Sequence, residues 1–357
     1  MTKTFKQILF CLIFFSGFLV CRAAFSACTW IGNTGTTASC LQSDIAACIT
    51  DAAGKSGDVI VKIKTGDCTA TPAAIGTTLN LAGSWTGNKI TIQGESPCTV
   101  NNYGQPSSCP TKIAGKGFDI QGISGKQFIF QDFEIDNCLD ANYAGQGYFS
   151  INGTSQNWRL TRLFFNNPTA KQIGVGMGSG GRSYGLIDHN RVTGGIGSVF
   201  FLHTRVMNDQ YNAWVEGLQS GTSKSIFVEA NVIEAPDGIS RAIYDSEAGG
   251  KAVIRHNTFK NVGIASHDVN GRATRGAEIY NNTFTIDPTV ALYGTRFIGV
   301  RGGQWIIYNN EFFTTSAYQF YTVGNDNHSG ITLTYYPAFP NIVTMNHHSS
   351  ILRGQNI

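Results

Sequence analysis

His203, Asp245, His267 and Arg301 are the residues whose types and spacing could do chemistry. Each closes a short stretch of one pattern: Phe200-Phe201-Leu202-His203, Ala242-Ile243-Tyr244-Asp245, Ile264-Ala265-Ser266-His267 and Ile298-Gly299-Val300-Arg301. With strand alternation, the first and third residues of each quartet face inward and the second and fourth outward. If the quartets are stacked strands, the closing residues form one outward column with neighbours about 4.8 Å apart. The other outward row, Phe201, Ile243, Ala265 and Gly299, shrinks toward its end and leaves room for a ligand. The preceding stretch, Ile173-Gly174-Val175-Gly176, puts no side chain in either outward row. A histidine beside a carboxylate can be held in one tautomer with its pKa near neutrality, which suits proton transfer. The segment after His267 adds Asp268, Arg272 and Arg275, and guanidinium forks match carboxylates, including those of sugar uronates. Elimination from a uronate needs a cation on the carboxylate, a base at C5 and an acid for the leaving oxygen. Arg301, Arg272 or Arg275 would supply the first, His267 the second, and Tyr244 or His203 the third. Tyr211 and Trp214 would stand beside the column as a flap able to stack on sugar rings.

A repeat must position that column. Five segments share one pattern: an apolar residue, an Asn three positions later, and a second apolar residue two beyond it. The first apolar set is Ile187, Val228, Ile254, Ile279 and Ile307; the Asn set is Asn190, Asn231, Asn257, Asn282 and Asn310; the second apolar set is Val192, Ile233, Phe259, Phe284 and Phe312. Two earlier copies, Phe130/Phe133/Ile135 and Leu160/Leu163/Phe165, keep the apolar positions and replace the Asn. Central positions 133, 163, 190, 231, 257, 282 and 310 are separated by 30, 27, 41, 26, 25 and 28 residues, so one insertion falls near 205–224. Units this short, without helical periodicity and divided by Gly and Asn turns, read as coils of short strands that stack into a continuous core. An Asn at a fixed turn can form a ladder from coil to coil, and it tolerates the left-handed backbone such a bend needs.

Composition agrees. Of 357 residues 42 are Gly, about 12%, and only 14% are charged, against usual values near ~7% and ~25%. The 42% apolar content can build a core, and a net charge of +3 is too small for a nucleic-acid groove. Lys3 and Lys6, an apolar run from Ile8 to Cys21 and small residues at Ala23, Ala24, Ser26 and Ala27 read as a signal peptide over 1–27. No later segment is apolar enough to span a membrane. The chain is therefore expected to be secreted, periplasmic or at the cell surface, with lipid attachment at Cys28 a minor alternative. Cys28, Cys40, Cys48, Cys68, Cys98, Cys109 and Cys138 would remain after cleavage, and disulfides among them are expected, with the connectivity open. Leu41, Ile45, Ile49 and Ala52 share one helical face, so residues 28–57 are expected to form an N-terminal cap with a short helix. Residues 58–345 then form the stack, and 346–357 a tail that either belongs to a far cap or is cut short. Asp188-His189 and Arg255-His256, beside the Asn turn, read as structural decoration.

On the strength of the Asn-centred repeat, the chain resembles the right-handed parallel β-helix of the pectate-lyase-like superfamily. That resemblance implies an all-β, single-stranded solenoid. Within it, pectate lyases hold calcium with carboxylates on successive coils, and that acidic cluster is missing here, so no cofactor is certain. The Asn-Thr-Asp, Asp-Asp, Gly-His-Gly and Arg-Ile-Lys motifs of polygalacturonase-like hydrolases are absent as well. The stretch Tyr244–Phe284 resembles alginate and chondroitin lyase β-helices, with Asp245-Ser246 near their Lys-Ser position and Ser266-His267 near their Arg-His position, although the Lys and Arg themselves are not matched. The whole is most similar to exported bacterial β-helix proteins without assigned activity. The expectation is a monomer acting on an acidic polysaccharide, as a lyase rather than a hydrolase. The competing expectation is a non-catalytic glycan-binding or surface-structural β-helix, such as an adhesin or spike.

Overall fold

The computed structural model describes residues 28–70, 79–82, 86–122, 125–139, 148–153, 156–166, 173–175, 184–194, 202–204, 222–235, 244–246, 250–265, 276–285, 287, 296–300, 303–313, 319–323, 331–335 and 343–347. They form an all-β parallel solenoid in which each coil contributes a strand to each of three faces. The first face stacks Val59–Ile63, Lys89–Gly94, Gln127–Gln131, Gln156–Thr161, Tyr184–Asp188, Ile226–Glu229, Lys251–Arg255, Gly276–Tyr280 and Gly303–Tyr308, all parallel. The second runs from Gly66–Asp67 to Glu311–Phe313. The third is built from Leu79–Ala82 to Tyr244–Ser246, then as a separate sheet from Ile264–Ala265 to Gln319–Val323.

The repeat positions are the structural register. Ile187, Val228, Ile254, Ile279 and Ile307 pair in sequence across the first face. Val192, Ile233, Phe259, Phe284 and Phe312 do so across the second. Apart from the half-buried Phe312, these side chains are buried in one continuous core, where the Phe259–Phe284 and Phe284–Phe312 ring centroids lie 4.8 and 5.1 Å apart. Sequence spacing near 27 residues thus becomes one strand-to-strand step in space.

The Asn ladder occupies the bend between the first and second faces. Asn190, Asn231, Asn257 and Asn282 are buried. Each donates from Nδ2 to Oδ1 of the next ladder Asn, at 3.0, 2.9, 3.0 and 2.9 Å in turn. The same oxygen accepts the backbone N–H of the preceding ladder residue. Nδ2 also donates to a carbonyl one coil back: Leu160, Ile187, Val228, Ile254 and, from Asn310, Ile279. The left-handed backbone expected of the Asn belongs instead to the residue before it. His189, Ala230, His256, Asn281 and Asn309 have φ of 55, 53, 59, 55 and 49°. Asp132 and Arg162 hold the same place in the coils that lack the Asn, with φ 62 and 49°. The bend reverses at that residue, so the next side chain turns inward and can join the ladder.

The helix spans Gln42–Ala52 and lies against the first strands of the stack. Its buried face is Gln42, Ile45, Cys48, Ile49 and Ala52. Leu41, expected on that face, is exposed at the N-cap, and Gln42 takes the inward position, its Nε2 donating to the Lys116 carbonyl. Disulfides join Cys28–Cys48, Cys40–Cys68 and Cys98–Cys109. Such bonds persist in oxidising surroundings. Bonding to Cys48 occupies the Cys28 sulfur, so the alternative of lipid attachment there is not supported. Beyond the parallel strands, Val343–His347 pairs antiparallel with both Gly303–Tyr308 and Ile331–Tyr335. Among the described residues no helix is long and apolar enough to cross a membrane.

Candidate functional site: a groove on the first face

The column inferred from sequence is reached only in part. His203 and Asp245 are direct register partners on neighbouring third-face strands, and Tyr244 pairs with Leu202. Ile264 pairs with Ile298 and Ala265 with Gly299, as the quartets require. Two features differ. Gly174 rather than Gly176 stands opposite His203, a slip of two residues that preserves the strand alternation and still leaves a glycine there. Among the described residues the third face also divides into separate sheets between Tyr244–Ser246 and Ile264–Ala265. His267, Asp268, Arg272, Arg275, Arg301, Tyr211 and Trp214 lie outside the described residues.

A different constellation comes together on the outer surface of the first face. In register across successive strands stand Thr161, Asp188, Glu229, Arg255, Tyr280 and Tyr308. Two residues toward the strand starts runs a second row: Arg159, Leu186, Phe227, Val253, Glu278 and Ile306. Along the second row and toward the strand starts opens a groove of about 480 Å³ whose lining includes Arg159, Tyr184, Leu186, Phe227, Glu229 and Arg255. Trp158 and Tyr184 are buried beneath it, whereas Leu186 and Phe227 are half-buried walls.

A local irregularity shapes its lower edge. The register shifts between Gln156 and Trp158, which pair with Tyr184 and Gly185, leaving Asn157 as the extra residue at φ 68°. This bulge turns Trp158 into the core and sets Arg159 outward. Gly185 pairs with Trp158 so closely that a Cβ there would stand 2.2 Å from the indole ring, so only glycine fits.

The charges on this surface are tied in pairs across coils. Arg159 forks onto Asp188, Nε to Oδ1 at 2.9 Å and Nη2 to Oδ2 at 2.6 Å. His189 Nδ1 lies 2.7 Å from Asp188 Oδ2. The Asp188 carboxylate is 3% exposed, the Arg159 side chain 42%. Burial pushes the Asp188 carboxyl up, but its bonds to Arg159 and His189 outweigh this and hold it below the usual carboxylate range. One coil on, Arg255 donates from Nε and Nη2 to Glu229 Oε1 at 2.9 and 2.5 Å, and from Nη1 to the Tyr280 hydroxyl at 2.8 Å. Burial works against the Arg255 charge, yet Tyr280 and Glu229 raise its pKa above the ordinary value. Tyr280 and Tyr308 stack with centroids 4.6 Å apart, and burial followed by the neighbouring Tyr280 raises the Tyr308 phenol. Among the described residues no group of three His, Cys, Asp or Glu is placed to hold a metal ion.

Asp188 and Arg255 do more than the decoration of the turn expected from their place in the sequence. Their neighbours His189 and His256 do serve the turn, as its left-handed residues, but the two charged side chains reach to adjacent coils, Asp188 to Arg159 and Arg255 to Glu229, and Arg159, Glu229 and Arg255 line the groove. The overlooked signal is that the position two before each ladder Asn is polar in every copy: Asp188, Glu229, Arg255, Tyr280, Tyr308. Comparison with known protein families, with curated proteins and with solved structures finds no match for this chain.

Proposed function

We propose that this chain is an exported, glycan-binding β-solenoid of pectate-lyase-like build, holding a polysaccharide chain in the first-face groove. The observation that carries this reading is the groove itself. It crosses five coils, pairs half-buried apolar walls at Leu186 and Phe227 with hydrogen-bonding groups at Arg159, Glu229 and Arg255, and rests on the strands of the first face. Sugar rings have apolar C–H faces and a rim of hydroxyls, and this mixture is complementary to both. The disulfides support an oxidising compartment, and the expected leader over 1–27 supports export. Affinity electrophoresis through gels containing soluble polysaccharides tests the reading. Retardation by at least one polysaccharide, reduced by about tenfold or more in apparent affinity in Phe227→Ala, is expected for a lost aromatic contact. Equal mobility of the two proteins in every gel refutes the assignment of the groove.

A second reading keeps the lyase, and it is favoured by the register pairing of His203 with Asp245 on the third face. Its substrate would be an acidic polysaccharide, with His267 as base, Tyr244 or His203 as acid, and Arg301, Arg272 or Arg275 on the uronate. An unsaturated product from a uronate polymer, abolished by His267→Ala, supports it. Absence of product from every such polymer removes it.

A further inference from the structure

We infer that the first-face groove selects a neutral glycan over a polyuronate, with the ligand chain lying along the stack. This rests on the glycan-binding reading above and narrows its ligand class. The groove spans the strands Gln127–Gln131, Gln156–Thr161, Tyr184–Asp188, Ile226–Glu229 and Lys251–Arg255, four strand spacings or about 19 Å along the solenoid. A short run of sugar units fits that length, and its long direction is the direction of stacking.

Charge then decides the class. Two arginines line the groove, which on composition alone would mark an anion site. Both are already engaged. Arg159 is bound at two nitrogens by Asp188, and Arg255 at two by Glu229 and at the third by Tyr280. Formal charge sums to zero over Arg159, Asp188, Glu229 and Arg255. Lys251, buried with its Nζ 5.7 Å from the Tyr184 ring, and Glu278, on the following strand Gly276–Tyr280, cancel in formal charge, and Lys224, between the lining residues Ser223 and Ser225, is exposed. A uronate would have to displace Asp188 or Glu229 from its guanidinium, or lie beside them and be repelled. Asp188 is the harder to displace, because its carboxylate is almost fully buried and the loss of its partner would strand a charge away from water. Hydroxyls place no such demand: a fixed guanidinium–carboxylate pair offers a donor and an acceptor side by side, and sugar hydroxyls can bond both without separating them.

The test is titration calorimetry on the intact mature chain with laminarin, xyloglucan and galactomannan as neutral probes and polygalacturonate and alginate as acidic ones. At least one neutral probe should bind, with an affinity that changes by no more than about twofold between about 0.05 and 0.5 M salt, because no net charge is neutralised. Glu229→Gln keeps the shape and releases Arg255, so it should gain measurable affinity for an acidic probe that is lost at the higher salt. Wild-type binding of an acidic probe, with a salt dependence matching that of Glu229→Gln, overturns the charge argument while leaving glycan binding intact. No binding by any probe overturns the glycan reading itself, and this inference with it.

Discussion

Replacing Asn257 by Ala tests whether the ladder stabilises the solenoid or merely fills the bend. The Asn257 amide sits in the middle of the row and is buried. Its oxygen accepts from the Asn231 backbone N–H at 3.0 Å and from Asn231 Nδ2 at 2.9 Å, while its nitrogen donates to the Val228 carbonyl at 2.9 Å. The substitution leaves the Asn231 N–H and the Val228 C=O without these partners in a place water does not reach. An orphaned buried polar group costs about 1–3 kcal/mol, so the expected loss is about 2–6 kcal/mol. That is a large share of the ~5–15 kcal/mol that keeps a typical domain folded. Asn310, at the end of the row, is only half-buried, and solvent can replace its bonds to Asn282 N–H and Ile279 C=O. Asn310→Ala should therefore cost only about 1 kcal/mol. Asn257→Leu restores bulk, as Leu163 and Phe133 supply it in earlier coils, but orphans the same groups and should be nearly as damaging as Ala. A solenoid unfolds by neighbouring units, so the local readout is native-state hydrogen exchange at the Asn231 amide, with urea unfolding as the global one. Unchanged protection of that amide, or equal losses for Asn257→Ala and Asn310→Ala, would refute the reasoning.

Two further predictions concern stability. Asp188 has a folded-state pKa held below its ordinary value of 3.8, so its contribution is complete above that pH and is lost as pH falls through the folded value. Thermal unfolding of wild type and Asp188→Asn should therefore differ most near neutrality and converge in acid; a gap that stays constant with pH counts against the Arg159 and His189 bonds as its source. Glu134, whose carboxyl is raised by burial with Lys112 opposing, acts in the opposite sense and is common to both proteins. The Cys98–Cys109 bond closes a segment whose Gln105 Nε2 donates to the Ala230 carbonyl at 2.9 Å, so it ties the second coil to the turn row. Changing both cysteines to Ser should lower stability by about 2–3 kcal/mol without changing the circular dichroism of the strands. An unchanged denaturation midpoint would show that the segment is held by its hydrogen bonds alone.

The fold was legible because a solenoid writes its contacts at short, regular sequence intervals. One Ile, one Asn and one further apolar residue per coil had to stack if the chain coiled at that period, and they do so residue for residue. The cap helix was legible from its apolar spacing, except at its first turn, where Leu41 and Gln42 exchange the expected places. The pairing of His203 with Asp245 followed from the same repeat, whereas the two-residue slip opposite Gly174 arose where both outward positions of the stretch are glycines.

The groove was a tertiary decision. Nothing in the local sequence ties Arg159 to Asp188, 29 residues away, or Arg255 to Glu229, 26 residues back. Each pairing exists because the stack places them one strand spacing apart. The bulge at Asn157 depends likewise on the mismatch between two neighbouring strands rather than on either strand alone. Sequence by itself determined that this chain coils, at what period, and which residues face the core, since burial repeats with the coil. Which outward side chains meet, and whether their charges add or cancel, was decided only by the register between coils and by the bond geometry of each pair.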